Sequence, residues 1–307
     1  MSNPGVIYLY RHAEGEAPVR RFLDTYRAHP AGLAHDLYVI YKGFPDCAAL
    51  EAGRALFTGV AHKAIELDDS GFDIGSYVAA ARQVDNRRLI FLNTFSQILG
   101  DDWLKLFDNA LNEPGVGIVG ATGSWQSNAA AYERAIRRII LAGRNRLPMM
   151  PPAAASFNVT LLRRPDDAKP RPLSRYFYAA FHYVYLLYEY GRHPNPHLRT
   201  TAFMVDREQF LSLRFPPFDN KKQAYQFESG RLSLTRQYLA RGLKPVVVGR
   251  DGRTFSIEQW PLSATFWKDA QANLLVADNR TCDYSDGSAE MRSYLEHIAW
   301  VSPWART

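Results

Sequence analysis

The chain has 307 residues, 47% of them hydrophobic and 22% charged, with a formal net charge of +6 and two cysteines, Cys47 and Cys282. This is the composition of a soluble globular α/β-sized protein; it argues against a disulfide scaffold or a zinc cluster, and no run of about 18 apolar residues is present to span a bilayer. The opening MSNPGVIYLYRHAEG lacks the basic start and apolar core of a secretory leader and the two thiols suit a reducing cytoplasm, while the positive balance suits either an anionic partner or simply a solvated basic surface.

Strand and helix signals alternate through the first third. GVIYLYRH is a β-branched and aromatic strand, and APVRRFLDTYRAH carries Val19, Phe22, Leu23 and Tyr26 at helical spacing. HDLYVIYKGF is a second strand, ended by Gly43 and Pro45. DCAALEAGRALFTG predicts a helix with Asp46 as N-cap and Gly59 beyond its end. HKAIELDD is a third strand, GSYVAAARQV a helix and RLIFLN a fourth strand. DDWLKLFDNALNEP predicts a helix with acidic residues at its positive end and Pro114 as its stop, and GVGIVGAT a fifth strand. This repetition predicts a parallel sheet covered on both faces.

The pattern changes after Gly123. SNAAAYERAIRRIILAG predicts an amphipathic helix, with Tyr132, Ala135, Ile136, Ile139 and Ile140 opposite Arg134, Arg137 and Arg138. The stretch RNRLPMMPPAAASFNVTLLRRPDDAKPRPL mixes proline with basic residues and predicts an irregular surface loop, long enough to be functional. SRYFYAAFHYVYLLYEYG is helical in length and nearly all apolar, with eight Phe or Tyr within 176–190. Such a helix either packs inside the domain or lies at a membrane interface, where tyrosine hydroxyls stay wet and the neighbouring basic loop favours anionic lipid. HLRTTAFMVDREQFLSL then predicts a strand leading into a helix, SGRLSLTRQYLARG a helix, and KPVVVGRDG a closing strand. The tail from Ser263 reads as a C-terminal extension, or the edge of a larger protein, with a strand and turn in NLLVADNRT and a last helix near 289–299.

Five segments in order, spanning about residues 5–255, resemble a GT-A-fold glycosyltransferase of the family-2-like group and its rhamnan-synthesis relatives. They are DDSGFDIGSY, IFLNTF followed by DDWL, GVGIVGA, TTAFMVDREQF, and FESGRLSLTRQYLARGLKPVVV. The resemblance implies an α/β, GT-A-like (Rossmann-related), mostly parallel sheet flanked by helices. It implies one domain over 1–262, with an insertion at about 123–196, followed by the extension 263–307. It further implies an enzyme that moves a sugar from a nucleotide-diphosphate sugar to a saccharide or lipid-linked acceptor in bacterial surface polysaccharide or glycan assembly. With the two thiols and with the aromatic helix beside its basic loop, the expected location is cytoplasmic, at the inner face of the membrane. Inversion, and a general base in QFESG at Glu228, come from the same resemblance. So does a divalent ion, Mg or Mn, at an Asp-x-Asp slot; that slot here reads Asn93-Thr94-Phe95.

Elementary chemistry sharpens these positions. Parallel sheets receive nucleotides at the carboxyl ends of their strands, which gathers the residues after YLYRH, after YVIYKGF, in DDSGFDIG and in NTFS around one crevice. Asp68, Asp69 and Asp73 are candidates to accept from ribose hydroxyls or a base N–H, with Gly71 and Gly75 allowing close approach; a local Asp/Gly turn is the plain alternative. Neutral Asn93 is a poor ligand for a hard cation and Phe95 is none, so the usual metal pair is absent. Either Asp68 or Asp69 holds a metal, or the diphosphate is met by Arg11, His12, Lys42, Lys63 or Arg199, with the Asn93 amide bonding the donor. For Glu228 the alternative role is a helix N-terminal cap or dipole partner. His182, His193 and His197 are fallback bases, His193 and His197 lying in the proline-broken GRHPNPHLR, where a surface turn is the plainer reading. His197 and Arg199 are placed on the acceptor or phosphate side, and Asp278 or Asn279 reach in from the tail. The competing reading is a degenerate, non-catalytic binding or scaffold protein on the same fold. A nucleic-acid partner is not expected, since no recognition motif or dense arginine stripe is present.

Overall fold

The computed structural model describes residues 3–141 and 172–303. The loop expected over 144–173 falls almost wholly outside the described residues, as do the side chains on which the two faces expected over 135–140 depend. The frame is an eight-stranded sheet built around its most buried strand, β1 (Gly5–Arg11). β1 pairs in parallel with β2 (Asp36–Lys42) on one side and with β4 (Arg88–Leu92) on the other, and β3 (Lys63–Leu67) lies outside β2. Beyond β4 come β9 (Ala202–Asp206), β6 (Val116–Gly120), β10 (Lys244–Val248) and the short edge strand β11 (Thr254–Phe255). The mostly parallel sheet flanked by helices expected of a GT-A-like fold is therefore present.

Two strands depart from the parallel expectation. β9 runs against both β4 and β6, in full register from Arg88 opposite Asp206 to Leu92 opposite Ala202, and β11 turns back on β10. β9 enters after the excursion over two long helices and not from a strand–helix–strand crossover, so the geometry that enforces parallel neighbours does not act on it.

Side chains alternate cleanly across the sheet. Val6, Tyr8 and Tyr10 of β1 join one core with Val19, Phe22, Trp103 and Phe107, whereas Ile7 and Leu9 join the other with Ile74, Tyr77, Phe210, Phe227 and Tyr238. The first core is roofed by α1 (Glu16–Ala28), α2 (Cys47–Ala55) and α4 (Trp103–Leu111). The second is roofed by α3 (Phe72–Ala81), α7 (Arg207–Leu211), α8 (Lys221–Ser229) and α9 (Leu234–Leu239). Asp46 caps α2 as expected, its Oδ1 accepting from Ala49 N at 2.8 Å. The acidic start of α4 behaves otherwise: Asp102 sits at φ 57° with no side-chain cap bond, and Asp101 meets His29 at 2.8 Å. The helix expected from residue 75 begins at Phe72, which places Asp73 in its first turn and not in a loop.

The pair α5 (Asn128–Leu141) and α6 (Pro172–Tyr190) packs beside the sheet, around Ala129, Leu186 and Tyr190. Over residues 180–190 the aromatic helix buries Leu186 and Tyr190 and leaves Phe181, Val184 and Tyr188 77%, 61% and 62% exposed. No helix among the described residues is long and apolar enough to cross a membrane.

The tail is not a free appendage. β12 (Val276–Ala277) pairs antiparallel with β5 (Gln97–Ile98), and Leu275 and Val276 belong to the same core as α1 and α4. Around α10 (Asn279–Ser285) and α11 (Ala289–Trp300) a second small core gathers Phe266, Trp267, Tyr284, Met291, Leu295 and Ile298. Replacing Leu275, fully buried, by alanine is expected to destabilise the whole chain by about 2–5 kcal/mol in a urea melt followed through the sheet, as for other buried leucines. A main transition that does not move would show that the tail folds apart from the sheet.

Candidate functional site

The carboxyl ends of the parallel strands and the amino end of β9 lie along one edge of the sheet, because β9 runs the other way. The switch in strand order on either side of β1 opens a crevice between β1 and β4. Arg11 ends β1, and its backbone N–H donates to Thr94 Oγ1 across that gap at 3.3 Å. Its guanidinium forks onto both oxygens of Asp69 at 2.7 Å and reaches Glu14 at 3.0 Å. The Asp69 hydrogen bond pushes Arg11 up, and Arg11 in turn holds Asp69 below the usual carboxylate range. Asp68 is also held low, by the hydroxyl and backbone N–H of Ser70. Gly43 has φ 71°, and a Cβ there would stand 2.9 Å from that of Asp69, so glycine lets β2 end tightly against the Asp68–Asp69 turn.

Beneath this rim Lys42 is fully buried. It donates to the Phe72 carbonyl at 2.6 Å and to Ser76 Oγ at 2.9 Å, so it pins the first turn of α3 and is not an open cation. Burial pushes its amine down, opposed by Asp73 and Asp69. Asp73 keeps some surface to solvent but its carboxyl is enclosed. Desolvation raises its pKa above the ordinary 3.8, partly offset by Lys42 and Arg11 and reinforced by Glu14 and Glu228. The glycines around it serve the fold: Gly71 holds φ 76°, where a Cβ would stand 3.3 Å from the Gly75 backbone, and a Cβ on Gly75 would meet the Phe218 ring at 3.7 Å.

Asn93 is 5% exposed at the end of β4, and its Oδ1 accepts from Phe95 N at 3.2 Å and Ser96 Oγ at 3.1 Å. Its oxygen shapes the turn that carries the chain into β5. With Asp69 forked by Arg11, Asp68 bonded to Ser70 and Phe95 inert, this donor set does not fit a divalent ion. Among the described residues no group of three His, Cys, Asp or Glu could hold one.

The far wall comes from the segment before β9 and from α8. Glu228 does not precede a helix; it occupies the last turn of α8, the negative end of the helix dipole, where an acid gains nothing from the helix. The capping alternative is therefore overturned. Glu228 Oε1 accepts from Thr200 N at 3.4 Å. His197, expected in a surface turn, is 4% exposed within β8 (His197–Leu198), which pairs with β7 (Gly123–Ser124). Its Nδ1 meets the Asn195 carbonyl at 2.8 Å, and a carbonyl can only accept, so the proton sits there and Nε2 keeps its lone pair. Burial pushes His197 down and Glu228 pulls it back up. Arg199 lies 5.0 Å over the Phe266 ring, and among the described residues no carboxylate pairs with it.

The other candidates are engaged in contacts of their own. Lys63 starts β3 at the opposite edge of the sheet and donates to Asp36 and Tyr38 at 3.3 Å. His182 packs between Tyr132 and Tyr185 on the helix pair. His193 is driven down to about 4, mainly by burial, beside Trp125. His12 follows β1 and packs on Phe44, with ring centres 4.8 Å apart. From the tail, the β12–β5 register brings Asp278 level with the end of the 93–96 turn, where it caps α10 through Thr281 N at 2.8 Å while its Oδ2 stays buried without a hydrogen bond. Asn279 points outward. Sequence reasoning singles out Asp278 and Asn279 and passes over Arg280, whose field from Arg199 and Tyr225 places it beside this wall. The only sequence signal for it is a basic residue just past a short strand.

No protein-family model matches the sequence, and no curated protein matches it. Among solved structures, the mannosyltransferase PcManGT from Pyrobaculum calidifontis, in complex with GDP-Man and Mn2+, is similar at 12% identity and a TM-score of 0.42 over 79% of this chain. The chain spans 53% of that protein's length. A 4-diphosphocytidyl-2C-methyl-D-erythritol synthase from Anaerococcus prevotii DSM 20548 is similar at 11% identity and a TM-score of 0.39, over 80% of this chain and 88% of that one. Mouse xyloside xylosyltransferase 1 follows at 13% identity and a TM-score of 0.35, over 79% of this chain and 82% of that one. Likenesses at this level bear on neither activity nor substrate.

The raised pKa of Asp73 has a thermodynamic counterpart. The folded chain binds this proton more tightly than the unfolded chain, so the carboxyl weakens the fold above its folded pKa, and the penalty fades as pH falls toward 3.8. Asp73→Asn is expected to be more stable than the unsubstituted protein at pH 7 and to converge with it on acidification, in urea melts at both pH values. An equal gap at every pH would place the effect elsewhere than on this carboxyl.

Proposed function

We propose that this chain is a glycosyltransferase that takes a sugar from a nucleotide-diphosphate sugar, with Glu228 as general base. The observation that carries the reading is that α3 and α8 pack together, with Asp73 in the first turn of one and Glu228 in the last turn of the other, so that the field of Glu228 reaches Asp73. The resemblance over about residues 5–255 supports the same assignment. In this reading the nucleoside lies against the rim of Arg11, Asp68, Asp69 and Asp73. Lys42 and Asn93 hold that rim and the adjoining turn in place. Glu228 takes the proton from an acceptor hydroxyl as its oxygen bonds to the anomeric carbon. The bond from that carbon to the diphosphate breaks with its electrons on the leaving nucleoside diphosphate, and the configuration inverts. His197, buried with its Nδ1 proton on the Asn195 carbonyl, lies within the field of Glu228.

The acceptor in this proposal is a saccharide or lipid-linked saccharide. The outward stripe of Phe181, Val184 and Tyr188, with Lys222 over Tyr185 at 4.5 Å and Arg231 over Tyr188 at 4.7 Å, supports peripheral contact with an anionic membrane face. A cytoplasmic location follows from the two thiols, and a role in surface polysaccharide assembly from the resemblance alone. One observation favours a different reading, a non-catalytic binder: the slot for a metal pair is filled by Asn93, whose oxygen is committed to a turn, and by Phe95.

Calorimetric titration of UDP-, GDP- and dTDP-sugars, with and without Mg or Mn, separates the two. The transferase reading expects saturable binding to one donor, weakened in Asp73→Ala. For Glu228→Gln it expects donor binding within a few-fold of the unsubstituted protein and turnover lower by about 10²–10⁴-fold. No binding to any donor in either condition would leave the binder as the better account.

A further inference from the structure

We propose that Arg199 and Arg280 form a two-guanidinium clamp for a diphosphate, so that the C-terminal segment supplies half of an anion site that the Asn93 turn cannot build around a metal. The geometry starts at Arg199. It lies directly before the strand-edge residues of the far wall, since Thr200 N meets Glu228 and Asn93 N donates to the Thr201 carbonyl at 3.0 Å. Its guanidinium rests on Phe266 at 5.0 Å, and its Nε is buried with no hydrogen-bond partner. Phe266 stacks on Trp267 with ring centres 4.4 Å apart, and Trp267 Nε1 donates to the Arg280 carbonyl at 2.8 Å. The aromatic stack therefore carries the Arg199 guanidinium on one ring and ties the Arg280 backbone through the other. β12 delivers Arg280 to this place, because Ala277 pairs with Gln97 just beyond the 93–96 turn.

Two arginines carried by neighbouring segments of one wall act on each other through their charges. Burial and the field of Arg199 both push Arg280 down. Asp283 is the acid that pairs with it, at 3.7 Å, a loose contact, and Asp278 and Tyr225 add weaker fields. Arg199 has no carboxylate partner among the described residues. The segment that holds the stack also stores backbone strain: Ala264, Trp267, Asp269, Ala270 and Gln271 all have φ between 44° and 53°, a conformation costly for residues with a Cβ. Two arginines converging on one wall, one of them without a carboxylate partner among the described residues, fit an anion with several oxygens, and a diphosphate offers each fork its own phosphate. The ligand's identity as the donor's diphosphate rests on the transferase reading; the existence of the anion site does not.

The test uses the full chain in EDTA and titrates inorganic pyrophosphate, then UDP and GDP, against Arg199→Gln and Arg280→Gln. The clamp expects pyrophosphate to bind without a metal, each substitution to weaken it by about ten-fold or more, and the unliganded variants to melt no lower than the parent. If either glutamine variant melts lower, Arg→Lys at that position keeps the charge and loses the fork, and is expected to bind between parent and glutamine variant. Absence of saturable pyrophosphate binding, or affinity untouched by both substitutions, overturns the clamp. Nucleoside diphosphates that bind independently of the arginines would overturn the clamp and leave the transferase reading standing. Arginine-dependent pyrophosphate binding, with no donor bound, would keep the clamp and overturn that reading.

Discussion

The reversed direction of β9 is the constraint on which the rest of the crevice depends. In a wholly parallel sheet the residues before a strand and the residues after its neighbours lie at opposite edges. Because β9 alone in the interior runs backward, the segment before it, carrying His197, Arg199 and Thr200, arrives at the edge where β1, β2, β3 and β4 release Arg11, Lys42, Asp68 and Asn93. The ladder from Arg88 opposite Asp206 to Leu92 opposite Ala202 fixes that arrival to the residue, since a slip of one would turn buried Phe203 and Val205 to the other face. The two walls of the site are thus set by backbone hydrogen bonds, and the side chains inherit their positions.

Much of this frame was legible in the residues. Alternating Val6, Tyr8 and Tyr10 against Ile7 and Leu9 reads as a strand buried on both faces, and Asp46 reads as a cap because its side chain needs only a local partner. What escaped reading depended on partners distant in the chain. Lys42 looks like an open cation at a strand end until Phe72 and Ser76 are seen to enclose its amine. Glu228 looks like a residue before a helix because the helix it ends, α8, has a weakly apolar sequence and owes its place to Phe227 packing under Phe215 and Phe218. Lys63 looks equivalent to Lys42, yet the one starts its strand and the other ends it. The direction of β9 itself leaves no local mark, since Ala202 to Asp206 alternate alike in either sense.

The charges in the crevice are arranged against stability. Asp73 is desolvated, Glu228 sits at the negative end of its helix, and Lys42 is buried beside Asp73 under the first turn of α3. Each would be less costly as a neutral residue, whereas the acid–base pairs on the outer surface, such as Arg20 with Glu16, sit where solvent screens them. Costs of this kind gathered at one edge of a well-packed sheet are characteristic of sites kept for chemistry.

The two-residue ladder between β5 and β12 has a consequence for how the protein is made. β5 leaves the Asn93 turn early in the chain, but its partner does not exist until Val276 and Ala277 have emerged from the ribosome. Until then the apolar surface that Leu275 and Val276 later cover stays open on an otherwise buildable sheet, a long-range closure of the kind that folds last. The β5 edge is therefore covered only after Val276 and Ala277 have been made, and a nascent chain stalled before that point would carry the sheet with this apolar surface open.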